Sequence, residues 1–200
     1  MIARDNGNGD FKQPEAGSVA ARCYKLIDLG TQDDSYMGKD VKHRQIIIGW
    51  EIDQSMEDGQ PFTVSAFYTL SLNEKAKLRG ILENWRGQPL TEKEIEGGFD
   101  MKKLLGAPCL LSLMAKENGK IKVTAVTKLP KGMKVPEKHN DPIYFDLDHF
   151  SDEVFQSLGE WTQKKIAASP EYQKAVSPAG VAPETQSGSA PEAKADNIPF

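Results

Sequence analysis

Residues 61–72 (PFTVSAFYTLSL) alternate between apolar and polar side chains, and this alternation constrains the fold more than any other feature of the chain. The even-numbered positions from Phe62 to Leu70 would place apolar side chains on one face of a strand. The odd-numbered positions would place Thr and Ser on the other face, together with one aromatic residue, Phe67. A period of two is the geometry of a β-strand with one buried face. The segment therefore predicts a strand from a half-exposed sheet.

Four further segments have the composition of strands. Residues 18–29 and 41–52 are rich in apolar and β-branched side chains, and an Asp-Gly turn separates the second of them from the alternating segment. Residues 107–115 and 120–129 flank Asn118–Gly119, a dipeptide that is typical of tight hairpin turns. The sequence therefore predicts a mainly β fold in which hairpins join several of the strands.

Helices are predicted in the connection between the third and fourth strands. Ser-x-x-Glu at Ser71 and Thr-x-x-Glu at Thr91 are capping-box patterns that begin helices, and the first helix would end near Trp85. After the fifth strand, the pattern predicts a short strand over residues 143–147 and a C-terminal helix over residues 152–167. A helix between the third and fourth of five strands is the element order of an OB-fold-like β-barrel. The same order also describes other small α+β barrels.

Composition divides the chain into three parts. Residues 1–16 are polar and contain Gly, which predicts a flexible arm, and residues 17–176 hold nearly all the large apolar side chains. Residues 177–200 consist mostly of Ser, Pro, Ala, Gly and Glu, and such a segment cannot bury enough apolar surface to offset the entropy of ordering it. We therefore predict one domain over residues 17–176 and a disordered C-terminal tail.

The tail ends in Asp196, Asn197, Ile198, Pro199 and Phe200. This ending resembles the C-terminal tip of bacterial single-stranded-DNA-binding proteins, in which an acidic stretch precedes Ile-Pro-Phe. The resemblance implies that these five residues bind replication or recombination proteins. A Phe side chain beside a carboxylate suits a pocket with an apolar floor and a basic rim, and a Pro limits the backbone freedom lost on binding. The alternative is an arbitrary disordered end.

The body carries a second resemblance. Its segments are residues 21–32 (ARCYKLIDLGTQ), 49–87 (beginning GWEIDQSMEDGQ), 104–111 (LLGAPCLL) and 129–136 (LPKGMKVP). They resemble a family of tailed-phage early-region proteins that we associate with single-stranded-DNA binding. The resemblance implies a role in phage or prophage DNA replication and recombination, and it assigns no DNA contact to any residue.

Candidate DNA-contacting residues come from the chemistry alone. Binding of a single strand without sequence preference needs a cationic groove and aromatic faces on which bases stack. Cations cluster over residues 39–44, at the start of the second strand, where a solvated loop is the alternative. Phe67 is either a stacking platform or is covered by another element. The candidates are Arg22, Tyr24, Tyr36, Lys39, Lys42, Arg44, Phe67 and Lys122.

Other aromatic and cationic residues fit structural roles in this interpretation. Trp50 has the parity of the isoleucines before it, which indicates a core position, and Trp85 and Trp161 are expected to pack helices. Lys75 and Lys77 are expected on a solvated helix face.

An enzyme is the less favoured interpretation. Asp146, Asp148 and His149 could hold a divalent metal, as in a nuclease. We favour the alternative, in which strand-end acids precede a helix whose dipole they complement. We therefore expect no catalytic residues, no cofactor and no bound metal.

Charge and the remaining composition set the expected partners. The net charge of −4 argues against a protein that coats duplex DNA through bulk positive charge, and it favours a rival hypothesis of an accessory protein that binds another protein instead of DNA. Cys23 and Cys109 lie in apolar stretches and are expected to be free thiols. No apolar run approaches the roughly 20 residues that span a bilayer. We expect a protein of the bacterial host cytosol that binds single-stranded DNA and partner proteins; formation of a homo-oligomer stays open.

Overall fold

The computed structural model describes residues 12–36 and 38–177, and the side chains of residues 35, 36 and 39 are outside this description. Most of the predicted flexible arm and nearly all of the predicted tail also lie outside the described residues. The described residues form a mainly β fold with several helices, as the sequence predicts.

One sheet contains all six strands of the described residues. They are β1 (Gly17–Tyr36), β2 (Lys39–Ser55), β3 (Pro61–Thr69), β4 (Pro108–Ala115), β5 (Ile121–Thr127) and β6 (Ile143–Phe145). Their order is β3-β2-β1-β4-β5 with antiparallel pairing, and β6 pairs in parallel with β1. Cα atoms of the edge strands β3 and β5 approach within 8 Å, but no hydrogen-bonded ladder joins these strands in the described part of the chain. The sheet is therefore not closed.

Short helices follow β3 and β6. They are α1 (Lys77–Arg86), α2 (Glu92–Gly97), α3 (Asp152–Ser157), α4 (Glu160–Ala167) and α5 (Pro170–Val176). Two 3₁₀ turns, Met101–Leu104 and Leu147–His149, lie before β4 and after β6. The connection from β3 to β4 is helical, as the sequence predicts.

The predicted start of the first helix is wrong. α1 begins at Lys77, because local turns occupy the preceding residues. The Ser71 hydroxyl accepts a hydrogen bond from the Asn73 amide, and the Asn73 side chain accepts one from the Lys75 amide. Asn and Ser side chains that bond nearby amides in this way compete with helix formation.

The other helix predictions have mixed outcomes. Thr91 and Glu94 form the predicted capping box at the start of α2, with each side chain accepting from the other residue's amide. The single helix predicted over residues 152–167 is in fact α3 followed by α4. Leu158 has extended backbone angles, which end α3 and let the chain turn before α4.

A first hydrophobic core lies on one face of the sheet, beneath α1. Ile48 and Trp50 of β2 are fully buried in this core, as the parity of Trp50 predicts. α1 contributes Leu78, Leu82 and Trp85, whose spacing places them on one stripe of the helix. The even-numbered residues of β3 from Phe62 to Tyr68 pack against the same core, which confirms the face predicted from their alternation. Leu70 lies beyond the end of the strand and is 37% exposed.

A second hydrophobic core lies on the opposite face of the sheet. Successive residues of a strand point to opposite faces, so Ile47 of β2 belongs to this core. It packs with Phe145 of β6, Phe155 of α3 and Ile166 of α4. The C-terminal helices therefore cover part of the outer face of the sheet, which we define as the face opposite Trp50.

Candidate nucleic-acid interface

The outer face of β2 and β3 has a row of small polar residues interrupted by one ring. Register places Phe67 of β3 beside Ile47 of β2, and Thr69 beside Gln45. Ser65 pairs with Gly49 one step further along the same face. Phe67, for which the sequence left both a stacking platform and a covered ring open, therefore lies at the point where the second core meets an open polar surface.

Phe67 is neither fully covered nor alone. Its side chain is 52% exposed, and its ring contacts Trp161 of α4 with a centroid separation of 5.8 Å and near-perpendicular planes. Trp161 is itself 54% exposed. Lys165, one turn further along α4, places its Nζ atom 6.0 Å from the centre of the Trp161 ring. We call Phe67, Trp161 and Lys165 the aromatic corner.

A groove of about 780 Å³ runs from Phe67 toward the connection between β3 and α1. Polar groups of β2 and β3 contribute to its lining, among them His43 and Gln45. Asp34 of β1 and the two exposed lysines Lys75 and Lys77 also line the groove. Neither lysine has a carboxylate within 4.0 Å among the described residues. The groove therefore combines an aromatic ring with two lysines and one carboxylate, and neither lysine forms an ion pair with a described carboxylate.

Hydrogen bonds from β1 hold α4, which carries Trp161, and α5, which follows it. Glu171 of α5 accepts from the amide and the hydroxyl of Thr31, at 2.8 and 2.6 Å. Burial raises the pKa of Glu171, but these hydrogen bonds outweigh it and hold the pKa below its usual value. Gln32 donates to the backbone oxygens of Leu29 and Lys165 at 2.8 and 2.9 Å. These hydrogen bonds therefore hold in place the helix backbone that carries Trp161 and Lys165 of the aromatic corner.

Arg44, a predicted DNA contact, is held by carboxylates instead of facing the groove. Its guanidinium donates to both oxygens of Asp28, which is only 6% exposed, and it lies 3.0 Å from Asp148 and 3.9 Å from Asp146. The hydrogen bond to Asp28 is the largest cause of a raised Arg44 pKa. Because Asp28 also accepts from the Leu147 amide, the cluster connects β1 and β2 to the start of the C-terminal region.

The carboxylates of the nuclease hypothesis take part in the same cluster. Asp146 and Asp148 both lie near Arg44, and Asp146 also contacts the His149 ring at 3.0 Å. Burial raises the pKa of Asp146, but its hydrogen bonds with His149, Asp148 and Tyr144 outweigh it and lower the pKa. Within residues 12–36 and 38–177, no group of three or more acidic, His or Cys side chains could hold a metal ion.

The other predicted contacts are scattered over the described part of the protein. Arg22 donates to the backbone oxygen of Pro136 at 3.0 Å, and Tyr24 is buried. Lys42 is exposed and pairs with Asp33 across the β1–β2 hairpin at 3.1 Å.

Lys122 is exposed on β5, on the opposite arm of the strand order from β3. The side chains of Tyr36 and Lys39, and all of residues 196–200, lie outside the described residues. Of the predicted contacts with a described side chain, Phe67 alone lines the groove.

The sequence predicts structural roles for three residues that the structure places at this surface, Lys75, Lys77 and Trp161. Lys75 and Lys77 were expected on a helix face, but Lys75 precedes α1 and Lys77 is its first residue. Trp161 was expected to pack within one long helix that also contained Lys165. Leu158–Gly159 is the signal that could have located Trp161. A helix break at these residues changes the direction in which every later side chain points.

The cysteines are buried and free, as the sequence predicts. Burial raises the pKa of the Cys23 thiol to about 12 and also raises that of Cys109. Neither thiol therefore has the thiolate character that a nucleophile needs.

Comparison with known proteins adds no family to these observations. No protein-family model matches the chain, and no curated protein matches it significantly. None of the helices in the described residues has the length and apolar character that crossing a bilayer requires.

Proposed function

We propose that this protein binds single-stranded DNA without sequence preference, through an OB-fold-like domain, and that it is not an enzyme. The strand order β3-β2-β1-β4-β5, with α1 after β3 and with edge strands that approach each other, supports an OB-fold-like arrangement. The OB-fold is a five-stranded, partly open Greek-key barrel. It binds oligonucleotides on the face of its second and third strands.

The observation that carries the proposal is the half-exposed Phe67 ring on that face, beside Lys75 and Lys77. Each nucleotide has an aromatic base that stacks on such a ring and a phosphate that attracts such cations. Stacking on a ring requires a base to be free of a duplex stack, so the arrangement favours a single strand.

The acidic net charge is compatible with this proposal. Affinity for a nucleic acid depends on where the cations lie, and acidic groups elsewhere reduce binding to the wrong surfaces. Several acids of the described residues are moreover engaged with cations, as in the cluster around Arg44.

Recruitment of partners is a further part of the proposal. It rests on the resemblance of Asp196 to Phe200 to the tip of bacterial single-stranded-DNA-binding proteins, and the resemblance of the body suggests a phage or prophage role in replication and recombination. Removing residues 177–200 is expected to leave DNA binding intact and to abolish capture of replication or recombination proteins in a pull-down. If the shortened chain still captures these partner proteins, the proposed role of the tail is wrong.

The test of DNA binding is fluorescence anisotropy with a labelled oligo-dT strand, compared with a duplex of equal length at moderate salt. The intact chain is expected to bind the single strand more tightly. Loss of one stacked base costs about 1–3 kcal/mol, so Phe67→Ala is expected to weaken binding by about 5- to 150-fold. Met114→Ala is a matched control, because Met114 is similarly exposed but lies on β4. Equal affinity for both DNA forms, or affinity for neither, would contradict the proposal.

A further inference from the structure

We infer that α4 forms the second half of the DNA site, with Trp161 stacking a base of its own and Lys165 contacting a neighbouring phosphate. This inference rests on the proposed function, and it names a part of the site that lies outside the sheet. It makes the C-terminal helices a binding element instead of only a cover for the second core.

The exposure of Trp161 is the first observation. The chain has three tryptophans, and the other two, Trp50 and Trp85, are 0% and 5% exposed in the first core. α4 is anchored by Ile166, which is fully buried, so the helix does not need the indole ring for docking. Single exposed apolar residues are ordinary, but Trp161 extends the exposed surface of Phe67 into one continuous aromatic patch.

The angle between the rings is the second observation. The planes of Phe67 and Trp161 differ by 78°. A flat base cannot lie parallel to two planes that are nearly perpendicular, so each ring must stack a different base. The aromatic corner therefore suits a flexible strand whose successive bases can turn relative to one another. A duplex, in which the bases are held parallel in the stack, does not have this freedom.

The charges beside the corner are the third observation. Lys165 lies against the Trp161 ring and has no carboxylate within 4.0 Å among the described residues, so its ammonium group can contact a phosphate. The acid at the start of α4, Glu160, is instead paired with Lys164 at 2.6 Å. Phe67 thus belongs both to the groove, which Lys75 and Lys77 also line, and to the aromatic corner, which contains Lys165.

Intrinsic fluorescence tests the inference directly, because only Trp161 of the three indoles is exposed to a ligand. Unlabelled oligo-dT is expected to quench the emission of the full chain. Trp161→Phe should remove the quenching while it keeps the affinity, measured by anisotropy, within about threefold, because Phe still stacks a base. Trp161→Ala should weaken binding by about 5- to 150-fold.

Controls separate this inference from the proposed function. Lys165→Gln should weaken binding and reduce its salt dependence, and Lys164→Gln is the matched control on the same helix. The double variant Phe67→Ala/Trp161→Ala should bind more weakly than either single variant. If Trp161→Ala binds oligo-dT as tightly as the unmodified chain while Phe67→Ala does not, the inference is wrong and the proposed function stands. If neither the unmodified chain nor any variant binds oligo-dT, the inference and the proposed function are both wrong.

Discussion

Two aromatic pairs of this protein have nearly the same separation and opposite surroundings. The centroids of Trp50 and Trp85 are 5.9 Å apart in the first core, and those of Phe67 and Trp161 are 5.8 Å apart on the outer face. The first pair is buried and the second is half exposed. Both pairs join a strand of the β2–β3 hairpin to a helix. Because successive strand residues point to opposite faces of the sheet, the positions of Trp50 and Phe67 along their strands decide on which face each pair lies.

The comparison shows how one kind of contact supports two properties. A buried aromatic pair removes a large apolar area from water and stabilises the fold. An exposed pair removes less area and leaves its faces available to a ligand. The buried pair should therefore control the free energy of unfolding, and the exposed pair should control the affinity for DNA.

The largest expected effect is on the buried pair. Trp50→Ala should lower the free energy of unfolding by about 3–5 kcal/mol, because it leaves a cavity in a packed core. Trp161→Ala should lower it by only about 1 kcal/mol, because the half-exposed indole loses chiefly its contact with the Phe67 ring. Urea unfolding followed by circular dichroism measures both. Similar losses for the two variants would contradict the division between the pairs.

The second effect tests whether Arg44 stabilises the fold or contributes to the proposed DNA site. Arg44→Gln should lower the free energy of unfolding by about 2–3 kcal/mol, because Asp28 stays buried without its cation. Lys42→Gln is the control, and its loss should be below about 0.5 kcal/mol because the pair with Asp33 is exposed. Under conditions where Arg44→Gln is folded, its affinity for oligo-dT should be unchanged. A weakened affinity would place Arg44 in the DNA site.

The third effect concerns the lysines of the groove. Replacing Lys75 and Lys77 by Gln should reduce the slope of log affinity against log salt by about 1.4, because each single-strand phosphate contact contributes about 0.7. Anisotropy titrations over a fourfold range of salt measure this slope. Lys134→Gln is the control, because that lysine is exposed but paired with Glu137. A slope that changes equally in the control would exclude a groove-specific contact.

The smallest effect concerns the support of the exposed pair. Glu171→Gln should lower the free energy of unfolding by about 1 kcal/mol at neutral pH, because it weakens the bonds from Thr31. The folded pKa of Glu171 lies below its unfolded value, so its contribution is present above the unfolded pKa of about 4.3 and is lost as the pH falls through the folded pKa. Denaturation at several pH values should show a smaller acid-induced loss in Glu171→Gln than in the unmodified chain. Parallel curves would exclude this contribution.

Much of the sheet was predictable, because its signal is local. The alternation in residues 61–72 gave the correct buried face of β3. The first two strands are longer than the predicted 18–29 and 41–52, because the polar residues 31–36 and 39–40 between them continue the antiparallel ladder. Side-chain polarity predicts only which segments are buried. A hairpin ladder that extends into solvent is held by backbone hydrogen bonds and needs no buried side chains, so polarity does not reveal it.

The candidate site was less predictable, because its groups come from distant parts of the chain. Phe67 stood out as an aromatic residue on a polar face, but the choice between platform and covered ring depended on where α4 lies. The charge of Arg44 predicts a DNA contact, because no local pattern indicates that Asp28, Asp146 and Asp148 converge on it. Such convergence depends on the docking of β6 and the residues after it.

The bonds between Thr31 and Glu171 connect residues 140 positions apart in the chain. Contacts of such long range form late in folding, because a large loop must close before they contribute. The helices α3–α5 pack on the second core, on the opposite side of the sheet from α1, so we expect them to open as one cooperative unit while the first core stays packed. Amides of this unit should exchange with deuterium together. Each such opening would move Trp161 away from Phe67. If the protein binds DNA as proposed, the residence time of a bound strand should follow the lifetime of the closed unit.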